Sequence, residues 1–213
     1  MSDEKRFEIL RQTIKDDPDN FQARRELAVL YLDLGFEAQA LEHLKYLVKV
    51  FPDDSNLYFN IGICWEKLKY PKFALNAYRQ AVAIKKDDPD YLYNLALVYE
   101  AMGQDDDAIR YLKEVIVLQK EDSNAFFCIA CLYSKQGDVE HAIKCFKRAI
   151  TLNYGDYYAH FHLAQEYKKL GDIQSAINEY EKVLEISPDY SWAYFNLAQI
   201  YWEEKEIQKS IFF

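Results

Sequence analysis

PDYLYNLALVYEAMGQDDDAIRYLKEVIVLQKED, residues 89–122, is the stretch on which the fold turns. Leu92, Leu95, Ala96 and Tyr99 follow the i, i+3, i+4, i+7 spacing of one helical face. Gly103 interrupts the run, and a second apolar run opens near Ala108. Working outward, the small residue recurs at Ala28, Gly62, Ala96, Ala130, Ala164 and Ala198, each 34 residues after the last. Three places beyond each lies an aromatic, Tyr31, Trp65, Tyr99, Tyr133, Tyr167 and Tyr201; one place before lies Leu27, Ile61, Leu95, Ile129, Leu163 and Leu197. Twelve places beyond come Ala40, Ala74, Ala108, Ala142 and Ala176, then Ser210. A register held over six periods is internal repetition and organises the whole chain.

With Phe21 as position 1, each period holds two helices. Gly35, Gly103, Gly137 and Gly171 fall at position 15, where the left-handed backbone that ends a helix favours glycine. Lys69 and Lys205 occupy that position in the second and sixth periods. A second helix starts near position 18, with Pro71 in its first turn, where a missing N–H costs little. It ends at Pro52 and Pro188 or at polar stretches such as KKDDPD and NYGD. Two helices of about 13 residues on so short a connection must pack antiparallel.

The pattern L-A/G-x-x-Y, then G, then A-x-x-x-[YFL]-x-x-A, then P, resembles the tetratricopeptide repeat (TPR) family. The resemblance implies an all-α TPR solenoid, a right-handed superhelix of antiparallel hairpins. It divides the chain into a capping half-repeat helix (1–20), full repeats at 21–54, 55–88, 89–122, 123–156 and 157–190, and an incomplete sixth at 191–213. One hairpin cannot bury its apolar stripe, so stability comes from stacking neighbours. Small residues at positions 8 and 20 let helices approach, and the ring at position 11 fills the space beside them.

Composition narrows the function. Half of the 213 residues are apolar and 16% are aromatic, too hydrophobic for disorder. The formal charge of −9 lacks the basic footprint of a nucleic-acid or anionic-membrane binder. No run of 18 uncharged apolar residues occurs, and MSDEKRFEIL has no apolar leader core, which reads as cytoplasmic without membrane insertion. Cys64, Cys128, Cys131 and Cys145 sit in apolar helical runs, as reduced buried thiols do.

On the first helix of each repeat, positions 2, 5, 9, 12 and 13 form a second stripe, also largely apolar, which calls for another packing layer or a ligand. In TPR proteins these positions line the inner concave surface, where peptides bind. By that resemblance the groove residues are Phe59, Ile63, Tyr93, Leu97, Phe127, Cys131, Tyr158, Phe161, Gln165, Trp192, Phe195, Gln199 and Trp202. Asn60, Asn94 and Asn196 stand at position 6 on its margin, where an amide both donates to and accepts from a peptide backbone. Glu26, Cys128 and His162 interrupt that Asn series. Two readings stand for the position 5 rings: hairpin packing alone, or packing together with partner contact, in which case Phe127→Ala with Phe161→Ala weakens binding. No repeat has Lys at position 5 or Asn at position 9, so the carboxylate clamp of TPR co-chaperones is absent. Lys67, Lys135, Lys168 and Lys169 mark the groove edge.

Catalytic signatures are missing. Cys128 and Cys131 form a CxxC in mid-helix, away from the helix start that would stabilise a thiolate. His141, His160 and His162 give no zinc-ligand spacing with them. There is no P-loop, GxGxxG, HExxH or nucleophile elbow. The chain therefore reads as a non-catalytic scaffold without cofactor or metal, holding a peptide or helix of a partner protein. Two alternatives are the regulatory or substrate-docking part of a longer enzyme, and self-association, as a homodimer, through the apolar end Ile211, Phe212 and Phe213.

Overall fold

The computed structural model describes residues 3–203, which form twelve α-helices and no strand. They are α1 (Asp3–Asp16), α2 (Phe21–Asp33), α3 (Glu37–Val50), α4 (Ser55–Lys67), α5 (Pro71–Ile84) and α6 (Pro89–Ala101), followed by α7 (Asp105–Leu118), α8 (Ser123–Gln136), α9 (Val139–Leu152), α10 (Tyr157–Leu170), α11 (Ile173–Ile186) and α12 (Ser191–Glu203). The all-α reading holds. Lys205, Ser210, Ile211, Phe212 and Phe213, with the end of the sixth repeat, lie outside the described residues.

Why the helices start and stop where they do is visible at both ends. Asn20, Asp54, Asp88, Asp122 and Asp156, spaced by one period, precede α2, α4, α6, α8 and α10, and each side chain accepts a hydrogen bond from a first-turn N–H. Part of the chain's acidity thus serves capping. Between the helices of a repeat, the residue after the left-handed one donates back to the carbonyl of the position 11 aromatic: Phe36 to Tyr31 and Tyr70 to Trp65 at 2.8 Å, Asp138 to Tyr133 at 2.9 Å and Asp172 to Tyr167 at 3.0 Å. Lys69 adopts the same turn with φ of 66°, so the departure at that position changes the residue and keeps the geometry.

Two compact units divide the chain, Met1–Tyr111 and Leu112–Phe213. In the first, α1 packs on α2, α2 on α3, α3 on α4, α4 on α5 and α5 on α6. Leu10 of α1 is buried, and Phe7 meets the edge of Tyr31 at 4.9 Å. In the second unit α8 pairs with α9, α9 with α10, α10 with α11 and α11 with α12. The small residues Ala28, Ala40, Ala74, Ala96, Ala108, Ala130, Ala142, Ala164 and Ala176 are all fully buried, where the helices approach most closely.

Candidate functional site

The groove residues of the first unit are half-buried rather than open. Phe59 lies against Tyr78 of α5 (5.6 Å between ring centres) and Tyr91 of α6 (4.8 Å). Ile63, Tyr93 and Leu97 are also half-buried on α4 and α6. Asn94 donates to its own helix at Asp90 O (2.8 Å), which leaves its carbonyl oxygen available, and Asn60 has no hydrogen-bond partner among the described residues. In the first repeat Arg25 takes the position held elsewhere by a ring, paired to Asp54 at 2.6 Å.

In the second unit the rings form a connected series. Phe127 touches Phe146 and His162, each at 5.7 Å, and His162 touches Phe161 at 5.7 Å. Phe161 continues to Tyr190 at 5.2 Å, and Tyr190 to Tyr158 at 5.9 Å. Phe161 is only 7% exposed, so a ring expected to face a partner is covered by Tyr180 and Tyr190. The signal that sequence reasoning misses is Tyr190: it stands where Asn20, Asp54, Asp88, Asp122 and Asp156 cap, so the sixth member of that series is an aromatic lid. The exposed rings are Tyr158 (48%), Trp192 (59%), Phe195 (60%) and Trp202 (65%). The last three ride on α12, the last of the described helices. Cys131 and Gln165 are half-buried and Gln199 is exposed; Asn196 donates to Trp192 O at 2.7 Å.

The groove-edge cations Lys169, Lys168 and Lys67 are already neutralised. Lys169 meets Glu166 at 2.6 Å, Lys168 meets Glu203 at 3.9 Å and Lys67 meets Glu37 at 4.0 Å. On the second helices the pattern differs, and sequence reasoning passes it over. Lys45, Arg79, Lys113 and Lys147 recur every 34 residues and sit over the position 11 rings of the following repeat, Trp65, Tyr99, Tyr133 and Tyr167, at 4.7, 5.4, 5.5 and 5.3 Å. A simple count of cations at one repeat position would have found the series, which ends at Glu181.

Among the described residues, two of the four cysteines have thiols disfavoured as thiolates. Burial pushes the Cys64 thiol up to about 12, with Glu37 adding to it, and burial raises Cys145 as well. No group of three or more His, Cys, Asp or Glu side chains is placed to hold a metal ion, and no helix is long and apolar enough to cross a membrane.

His162 and His43 make the fold sensitive to acid. Burial lowers its imidazole below the usual 6.5, and the hydrogen bond to Gln165 (3.1 Å) only partly opposes this. His43 is lowered by burial and by Arg24. Above pH 6.5 folded and unfolded chains are both neutral at these sites. Below it the unfolded chain takes up protons that the folded chain resists, and stability falls. The melting temperature should therefore drop a few degrees between about pH 7.5 and about pH 5.5. His162→Asn, the residue found at Asn60, Asn94 and Asn196, should make the slope shallower; identical slopes would remove His162 from the account.

Models of the tetratricopeptide repeat match residues 72–103, 89–122, 123–153 and 164–204. No match is found among curated protein sequences. Among solved structures, the chain is similar to YrrB, a TPR protein with an unusual peptide-binding site, at 18% identity and a TM-score of 0.75 over 86% of this chain and 95% of that one. It is also similar to MamA from Desulfovibrio magneticus RS-1 (20%, 0.76, over 81% and 97%) and to Pseudomonas aeruginosa pilF (18%, 0.74, over 89% and 86%). At these identities the likeness is one of fold.

Proposed function

We propose, from the premise that this chain belongs to the tetratricopeptide-repeat family, that it is a protein-interaction scaffold that docks an extended peptide or a helix on the first-helix face of its second unit. Tyr158 is the observation that carries the reading. Its helix, α10, is followed by two described helices, α11 and α12, and yet the ring stays 48% exposed. It stacks on Tyr157 at 4.3 Å. A ring ordered by its neighbours and left open to solvent loses little freedom when a partner covers it. Trp192 and Phe195 extend the apolar exposure on α12 of the same unit. The peptide-binding site of YrrB, a protein of the same fold, supports the same class of ligand.

Peptide libraries, extended and helical, panned against the whole chain provide the test. Tyr158→Ala with Trp192→Ala should weaken selected peptides roughly 5- to 150-fold, about 1–3 kcal/mol, while helicity persists. Selected peptides that bind this variant as tightly as the parent would end the proposal for the first-helix face.

A further inference from the structure

A cleft of about 610 Å³ opens in the second unit between the second helices α7 and α9, with α8 as its floor. It uses the opposite stripe of α8 from the docking face: Phe126, Ile129 and Tyr133 at positions 4, 7 and 11. Lys113, Lys144, Lys147 and Arg148 rim it, and no aspartate or glutamate lines it. In a chain carrying 35 acids against 26 bases, that is a local inversion of charge. None of the four cations has an ion pair among the described residues; the nearby carboxylate of Asp138 is engaged by His141 at 2.8 Å.

The frame does not demand these cations. One repeat later the equivalent hollow, about 330 Å³, keeps a cation in Lys182 at the place of Arg148 but has Asn178 where Lys144 stands and Glu181 where Lys147 stands, and Glu179 and Glu185 join it. The same hairpin geometry thus carries opposite charge in adjacent repeats. Hairpin packing accounts for the apolar floor; Lys113, Lys147 and Arg148 lie over the rings of Tyr133, Tyr167 and Phe126, whereas Lys144 has neither ring nor ion pair among the described residues.

We infer that this cleft is a second docking site, for an acidic peptide segment of a partner protein carrying one aromatic or aliphatic anchor. The anchor enters between Phe126 and Tyr133, and the flanking carboxylates meet Lys144, Lys147 and Arg148. The volume suits one or two side chains. A nucleic acid or a membrane surface would need a far broader basic field and would meet repulsion from the rest of the molecule. Lys113 is held over the floor by donating to the Tyr133 hydroxyl (2.8 Å), and Arg148 lies 5.8 Å from the Phe126 ring, so part of the rim is preorganised.

Fluorescence anisotropy on the full chain tests this with a labelled Glu-rich peptide containing a single Phe. Lys144→Asn with Lys147→Glu installs residues that the next repeat already carries at these positions, so folding should persist, as circular dichroism will verify. We expect affinity to fall at least about ten-fold in that variant, to weaken with salt in the parent, and to be unchanged by Tyr158→Ala with Trp192→Ala. The last comparison separates this cleft from the first-helix face. Unchanged binding by the lysine variant would overturn the inference. So would equal binding of a peptide with Ser in place of Phe, which reports charge attraction alone, or more effective displacement by a single-stranded oligonucleotide.

Discussion

Phe161→Ala should cost about 3–5 kcal/mol of folding stability, the range for removing a buried phenylalanine. Its ring is covered by Tyr180 of the second helix, by Tyr190 and by His162, with centres at 5.6, 5.2 and 5.7 Å. Truncation leaves a void walled by other rings on rigid helices, which cannot close over it. For a chain of this length each kcal/mol moves the melting temperature by about 2–4 °C, so the drop should be on the order of 10 °C. Repeat proteins gain stability from each interface, and the loss should therefore concentrate in α10 to α12, seen as faster amide exchange there. Tyr158→Ala, three residues away and half-exposed, should change the melting temperature far less. Equal losses for the two variants would refute the assignment of Phe161 to the core. The same contrast decides which substitutions test binding: Phe127→Ala with Phe161→Ala confounds docking with unfolding, whereas Tyr158 and Trp192 do not.

Much of this architecture can be read before any coordinates are known, because the period of 34 is written in the residues that pack. The alanines at positions 8 and 20 and the aromatics at position 11 are constrained by helix approach, and geometry leaves few substitutes. Surface assignment is less legible. Position 5 looks identical in Phe127, Phe161 and Phe195, and yet these are half-buried, buried and exposed. What separates them lies in other helices: Phe146 and His162 for the first, Tyr180 and Tyr190 for the second, and for the third no described second helix. Helical periodicity tells which way a side chain points. It does not tell how large the residue opposite is. The cationic cleft escapes for a related reason, since attention to the inner stripe discounts the second helices, where Lys113, Lys144, Lys147 and Arg148 gather only after α7 and α9 are brought side by side.

Gly62→Ala should destabilise the chain by about 1–3 kcal/mol, although alanine at this position is the rule in the other five repeats and a better helix former. The cause is Tyr78 on the facing helix. Its ring lies over Gly62 so closely that a Cβ there would overlap three ring carbons, and its hydroxyl donates to Glu66 at 2.9 Å. Tyr78 is fully buried, so the ring has nowhere to move without displacing Phe59, which rests on it at 5.6 Å. Repeat five shows the other solution: Ala164 faces Tyr180, whose buried hydroxyl finds no partner among the described residues. Repeat one pairs Ala28 with Leu44 instead. It follows that Tyr78→Leu alone leaves space above Gly62 and strands no hydroxyl, whereas Gly62→Ala with Tyr78→Leu recreates a pairing that the chain already uses in repeat one. The double variant should be more stable than Gly62→Ala alone, with a coupling energy of about 1–3 kcal/mol by urea titration. Simple addition of the two single losses would mean that the glycine answers to some constraint other than the tyrosine ring.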